Sequence, residues 1–450
     1  MNVNEVLQFV DKLVVEKTGR HLDDVQKAVV EGTWQRQTYD DIAQKCHVTE
    51  GHAGDVASEL WQLLSQIAGE DIKKSNFRST LERIYIKSSQ NPNICGNNNF
   101  ILQTINHPEQ QTQESKINNK YKSDHQDLTL APQIARFYNR ESELDILTNW
   151  ILSQNIRLIS VLGLSGIGKT YLVKRFVELD LEGFEVIIWN SFQYPQSLNL
   201  LIKDFLNICK QKHKETTPAK LKQLFEIMAE RKCLLILDDV QNIFISGELA
   251  GQYKPEYKDY QKFFRMITET NHQSNVILIS QEQCVEMHCL DDELYPIKCL
   301  SLSGLDDVDI LKNTGLTDEE NWLNLIKLYE GNPLYLKSVA NSIKNIFDGN
   351  VTEFLSENEL IITKDMQNNL QSLFNKLSPT EQQIVLKLSN FEQPISREDL
   401  KATLDLSSTD FINGLASLQQ RYLVTKIKEE KFLFKLSPVF REYVRNCRKD

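Results

Sequence analysis

Gly163-Leu164-Ser165-Gly166-Ile167-Gly168-Lys169-Thr170 fits the pattern G-x-x-x-x-G-K-[S/T] at every fixed position. The apolar run Ile156–Leu162 before it reads as a buried strand, and Tyr171–Leu179 after it reads as a helix. Strand, glycine-rich turn and helix in that order make a phosphate cradle. Glycine lets the backbone curl until successive N–H groups point inward, and the helix N-terminus adds about half a positive charge. The expected nucleotide contacts are Gly163, Ser165, Gly166, Ile167, Gly168, Lys169, Thr170 and Tyr171. Lys169 is expected to bridge the β- and γ-phosphates, and the Thr170 hydroxyl to hold Mg²⁺.

Outward from the loop, Val186–Trp189, Leu234–Leu237 and Val276–Ser280 read as further strands. Helical stretches such as Leu198–Cys209 and Ala219–Glu230 separate them. Near-continuous apolar strands alternating with helices predict an α/β fold with a parallel sheet covered on both faces. The run Leu234-Leu235-Ile236-Leu237 ends in Asp238-Asp239, which places two carboxylates at the edge of the sheet beside the loop. Asp238 suits the Mg²⁺ shell with Thr170. Asp239 suits polarisation of an attacking water, which with Lys169 makes the expected catalytic pair.

At 450 residues with a net charge of −11, the chain has room for several domains and is too acidic to coat nucleic acid non-specifically. Eight cysteines occur without C-x-x-C pairs, and the set Cys284, His288, Cys289 and Cys299 fits no zinc spacing, so reduced thiols of a cytoplasmic protein are expected. No apolar run approaches the ~18 residues of a membrane span, and the N-terminus carries no secretion signal.

Residues 1–87 read as a helical module: Val3–Lys17, His21–Glu31, a short helix capped at Thr38, a turn at His47–Gly51, and Asp55–Ile67. Short helix, turn and longer helix is helix-turn-helix order. The presumed reading helix offers Glu50, Asp55, Ser58 and Glu59 with only His52 as a cation nearby, whereas phosphate contacts need Lys or Arg. A protein partner is therefore expected ahead of DNA. Residues 88–133 are rich in Asn and Gln and read as a polar disordered linker. The nucleotide domain is placed at 134–303.

Beyond it, Thr317-Asp318-Glu319-Glu320 reads as a capping box opening a helix through Tyr329, and Leu334–Ile346 as another helix, within a small helical domain at 304–366. At 367–450, Ser378-Pro379-Thr380-Glu381 caps one helix, Ser396-Arg397-Glu398-Asp399 starts a second, and Phe411–Gln420 is a third. Leu423–Ile427 and Lys431–Leu436 then read as a two-strand wing, which makes a winged helix with little positive charge on its third helix.

Three stretches resemble one family. Phe137-Tyr138-Asn139-Arg140-Glu141 resembles the opening motif of the signal-transduction ATPases with numerous domains (STAND), where a Gly usually stands at Asn139. Gly331-Asn332-Pro333-Leu334 resembles the GxP motif of their NB-ARC subgroup, and Phe434-Lys435-Leu436-Ser437-Pro438 occupies the place of its Met-His-Asp motif. The N-terminal module and Gly247–Tyr260 are similar to cyanobacterial NB-ARC proteins with a helix-turn-helix. The resemblance implies that Tyr138, Arg140, Pro333 and Leu334 lie at the base and ribose of bound ATP or ADP. It also implies that Gln281 and Ser437 stand at two further nucleotide-contacting positions.

Departures are visible. Gln281 replaces the arginine that senses the γ-phosphate, Ser437 replaces the histidine that contacts ADP, and the sequence ends at Asp450 where relatives continue into repeats. The expected function is a signalling or defence switch: ADP-closed, opened by ATP, assembling into a homo-oligomer and hydrolysing ATP slowly at most. A transcription regulator using residues 1–87 on DNA, and a hydrolysis-poor nucleotide-binding scaffold, remain open beside it.

Overall fold

Strand β2 (Leu158–Leu162) runs straight into the phosphate loop, and a six-stranded sheet is assembled around it in a computed structural model of the chain. The structure describes residues 3–81 and 125–446, apart from positions 19, 35–37, 47, 69–71, 75–76, 78–79, 135, 213, 290–291, 358 and 429–430. The remaining strands are β1 (His125–Asp127), β3 (Val186–Ser191), β4 (Cys233–Asp238), β5 (Asn275–Ser280) and β6 (Ile297–Ser301). Their order is β1-β3-β4-β5-β2-β6, and every pairing is parallel. All residues of β2, β4 and β5 are buried, which explains their near-continuous apolar sequence. One apolar layer holds Phe192, Phe205, Phe263 and Phe264; the other holds Phe176, Val173 and Trp189.

Two strands of this sheet escape sequence reading. β1 lies inside the stretch assigned to the linker, where it pairs with Val186–Ile188, and His125 Nδ1 meets Ile208 O at 2.8 Å. Its three residues, His-Gln-Asp, carry no apolar signature because the strand sits at the sheet edge. β6, the opposite edge, is likewise only partly buried. The rest of the predicted linker up to position 124 lies outside the described residues.

The N-terminal unit is separate from the unit that contains the sheet. It contains helices Val3–Thr18, Asp24–Trp34, Tyr39–Cys46 and Glu50–Ala68 around Val10, Val29, Ile42, Trp61 and Phe77. The second helix begins later than expected because Asp23 and Gln26 cap it reciprocally, with Gln26 N–H on Asp23 at 2.8 Å. The fourth begins earlier, where Thr49 Oγ1 accepts from His52 N–H at 3.2 Å. Thr38 and Asp41 cap the third in the same way.

After the sheet, one apolar cluster runs from Leu305 to Val444, so the stretches read as a small helical domain and a winged helix share a core. The expected boundary at 366/367 falls inside helix Lys364–Asn375, whose cap is Thr363. Ser378 and Glu381 form the expected capping box on helix Pro379–Leu388. Helices Arg397–Ala402 and Ser408–Gln420 follow, then β8 (Val424–Lys428) and β9 (Phe432–Leu436), joined by a short third strand β7 (Ile395–Ser396) in the order β7-β9-β8. Helix Pro438–Asn446 comes last.

The capping box expected at Thr317 is absent. Asp318 has φ 62° and makes no cap; its carboxylate accepts from Thr352 N–H, while Thr317 bonds Gly349. The helix begins at Trp322 instead. Tertiary partners outcompete the local cap.

Candidate functional site

β2 delivers the chain into a loop in which Gly163, Gly166 and Gly168 have φ of 142°, 76° and 103°. Only glycine adopts such angles cheaply. A Cβ on Gly166 would lie 2.3 Å from Leu334 Cβ, whereas one on Gly168 would meet nothing within 4 Å and would project into the open cradle. Gly168 caps helix Lys169–Asp180.

Lys169 is buried, and its Nζ donates to Gly163 O and Leu164 O, both at 2.9 Å. Burial lowers it to about 8, against the pull of Asp238 and Asp239. Thr170 Oγ1 donates to Asp238 Oδ1 at 3.2 Å, and Asp239 N–H donates to the same oxygen at 2.9 Å. Burial, then Asp239, pushes Asp238 up to about 7. An interior lysine and an interior carboxylate both driven toward neutrality are what a phosphate and a cation would reverse. A buried lysine, a hydroxyl and a strand-end carboxylate so placed fit a Mg²⁺-nucleoside phosphate. Asp239 sits in the left-handed region at φ 58°, a strained backbone for a non-glycine residue.

Other expected site residues take less direct positions. Arg140 is buried and commits its guanidinium to Glu143 at 2.6 Å, Ser303 O at 2.6 Å and Ile167 O at 3.3 Å, so it braces the loop. Asn139, where the family carries Gly, has φ 34°, a region Asn tolerates better than most side chains. Tyr138 and Leu164 pack half-buried against the C-terminal cluster. Ser165 O accepts from Asn332 Nδ2 at 2.9 Å, and Ile167 is buried in the sheet core. Tyr171 is exposed. Pro333 opens helix Pro333–Ile346, which sets Leu334 against Gly166. Gln281 N–H donates to Gln241 Oε1 at 3.1 Å. The Ser437 hydroxyl bonds Glu330, not the phosphate loop.

Sequence reasoning missed Asn332, Gln241, Glu282, Glu330 and Arg421. Asn332 carried a local signal, since Asn before Pro at a helix start is a cap, and its Oδ1 accepts from Leu334 N–H at 3.0 Å. The others carried none. Cys284 is buried with its thiol pushed up by burial, and Cys299 Sγ accepts from Gln283 Nε2 at 3.4 Å. Among the described residues no helix is long and apolar enough to cross a membrane.

A parallel sheet feeding this loop, with a lysine, a hydroxyl and a strand-end acid converging on it, defines the nucleotide-binding domain of a P-loop NTPase. More narrowly, residues 140–294 match the model of the NB-ARC domain, and residues 1–84 match that of the vWA-MoxR associated protein N-terminal HTH. The chain is 30% identical over 343 residues to an uncharacterized WD repeat-containing protein of Nostoc sp., covering 72% of this chain and 27% of that protein. It is 23% identical over 298 residues to disease resistance protein RPP2A of Arabidopsis thaliana, covering 62% of this chain and 21% of that one. The chain thus spans about a quarter of the curated relatives it matches. Among solved structures, a Walker-type ATPase of Pyrococcus abyssi aligns at a TM-score of 0.46 and 15% identity, over 69% of this chain and 96% of that one.

Proposed function

We propose that the chain is a nucleotide switch of STAND type, closed on ADP and opened to assemble when ATP replaces it. The observation that carries this reading is the packing of later elements onto the phosphate loop and the sheet edge. Asn332 and Leu334 touch Ser165 and Gly166, and Arg421 reaches Glu282 just beyond β5. Bound phosphates therefore bear on how those elements sit. A ligand shifts such an equilibrium only through different affinities for its two states, and a γ-phosphate beside Asp239 and Gln281 supplies a difference.

Thr170 and Asp238 would hold Mg²⁺, whose chemistry is to neutralise charge on the transferring phosphoryl group. Lys169 orients the phosphates, and Asp239 orients water. Gln281 brings no charge, so hydrolysis is slow. Residues 1–84 dock a protein, because the exposed residues of helix Glu50–Ala68 (His52, Asp55, Ser58, Glu59, Gln62, Gln66) include neither Lys nor Arg. Mass under native conditions, measured with ADP and with a slowly hydrolysed ATP analogue, tests the switch. A higher-order species with the analogue alone is expected, and identical masses with both nucleotides would overturn it.

A further inference from the structure

Just past β5 the chain enters a buried network that starts at Asp239 and ends on the C-terminal helices. Gln241, itself buried, donates from Nε2 to Asp239 Oδ1 at 2.8 Å and accepts Gln281 N–H on Oε1 at 3.1 Å. One residue further, Glu282 pairs with Arg421 at the end of helix Ser408–Gln420. Arg421 Nε also donates to Glu381 Oε1 at 2.9 Å, and Nη2 to Glu248 O at 2.8 Å. Glu381 accepts the Ser417 hydroxyl at 2.6 Å, and that hydroxyl accepts Ala250 N–H at 2.7 Å. All three charged side chains are at most 7% exposed.

A charge cluster so placed adds little as plain adhesion. Its desolvation cost offsets most of its attraction, and apolar residues of the same volume would pack as well. Its distinguishing property is how it divides: Arg421 keeps Glu381 on its own side, and separating the two sides breaks the Glu282–Arg421 pair and returns Glu282 to water. The two sides are different pieces of the molecule, Glu282 on the nucleotide sheet and Arg421 with Glu381 on the C-terminal bundle.

We propose that Glu282–Arg421–Glu381 is a latch holding the C-terminal helices on the nucleotide domain, and that Gln241 couples it to Asp239. The proposal rests on the switch reading, because it needs Asp239 to lie beside the γ-phosphate. A change at Asp239 pulls on Gln241, which pulls on the Gln281 amide and tilts the adjoining Glu282 carboxylate. The same connection lets a chain without the sensor arginine still register the nucleotide.

The test uses full chain and follows hydrogen exchange in helix Ser408–Gln420 with ADP and with a slowly hydrolysed ATP analogue, while a fluorescent ADP reports binding. In wild type, exchange should be faster with the analogue. Glu282→Gln, isosteric and thus the variant least disturbed in folding, should raise exchange by roughly tenfold or more in both states. Gln241→Ala should erase the difference between nucleotides. Glu282→Gln exchanging like wild type while melting at a lower temperature would reduce the latch to packing and overturn it. Gln241→Ala keeping the wild-type difference would overturn the coupling. A wild type that binds fluorescent ADP yet exchanges identically with both nucleotides would sink the switch reading, and the coupling with it; the latch is still read from Glu282→Gln.

Discussion

Ser437 Oγ donates to Glu330 Oε2 over 2.6 Å, tying the start of the last helix to the turn that carries Gly331 and Asn332. Glu330 is mostly buried, its carboxyl raised by that burial, and it also accepts Val439 N–H at 3.3 Å. Where the resemblance puts a nucleotide-contacting histidine, this chain joins two of its own segments. Ser437→Ala should cost about 1–3 kcal/mol by leaving a buried acceptor short of a donor. It should also speed ADP release. Urea unfolding and stopped-flow release check both. Weaker ADP binding with unchanged stability would instead restore a direct contact.

Lys169 should decide nucleotide binding. With ADP at a hundred times its Kd the folded state gains roughly 2.7 kcal/mol. The melting temperature of wild type should therefore rise on adding ADP, and that of Lys169→Ala should hardly move. Equal shifts in the two proteins would remove the loop from the binding site.

Gln281 and Asp239 should set the hydrolysis rate. An arginine at the γ-phosphate is worth about 10³–10⁵ in phosphoryl transfer. Single-turnover hydrolysis should be slow in wild type, slower in Asp239→Asn, and accelerated in Gln281→Arg. Rapid wild-type turnover, or an unaffected Asp239→Asn, contradicts the roles of these two side chains.

Residues 1–84 alone should bind duplex DNA only with weak, non-specific affinity at physiological salt. Selection from random duplexes should return no reproducible site. A tight consensus site would favour a transcription regulator.

His272 should make stability depend on pH. Its Nε2 lies 2.9 Å from Ile267 O and its Nδ1 accepts Ser274 N–H at 3.2 Å, which fits the neutral ring. Burial holds it down at about 4, against an ordinary 6.5. Between those values the unfolded chain binds a proton the folded one refuses, so stability is full above 6.5 and is lost as pH falls toward 4. The loss attributable to this ring is roughly 3 kcal/mol. Chemical denaturation of wild type and His272→Gln at pH 7 and pH 5 checks it, with the gap between them narrowing at pH 5.

The loop from Gly163 to Thr170, the acids after β4 and the capping box at Ser378 were legible in sequence because each is a local device. Neighbours a few residues apart carry its chemistry, and glycine angles or a cap reveal themselves at fixed spacing. The buried strands were legible because burial on both faces demands near-continuous apolar residues, as in β2, β4 and β5. Edge strands β1 and β6 are released from that demand, so their sequences look like loop. What tertiary structure alone decided is who partners whom across distance: Ser437 with Glu330, Arg421 with Glu282, Gln241 with Asp239, Asp318 with Thr352 in place of a cap. A buried polar group must find a partner, but the chain does not encode locally which one, because the choice depends on which surfaces packing brings together.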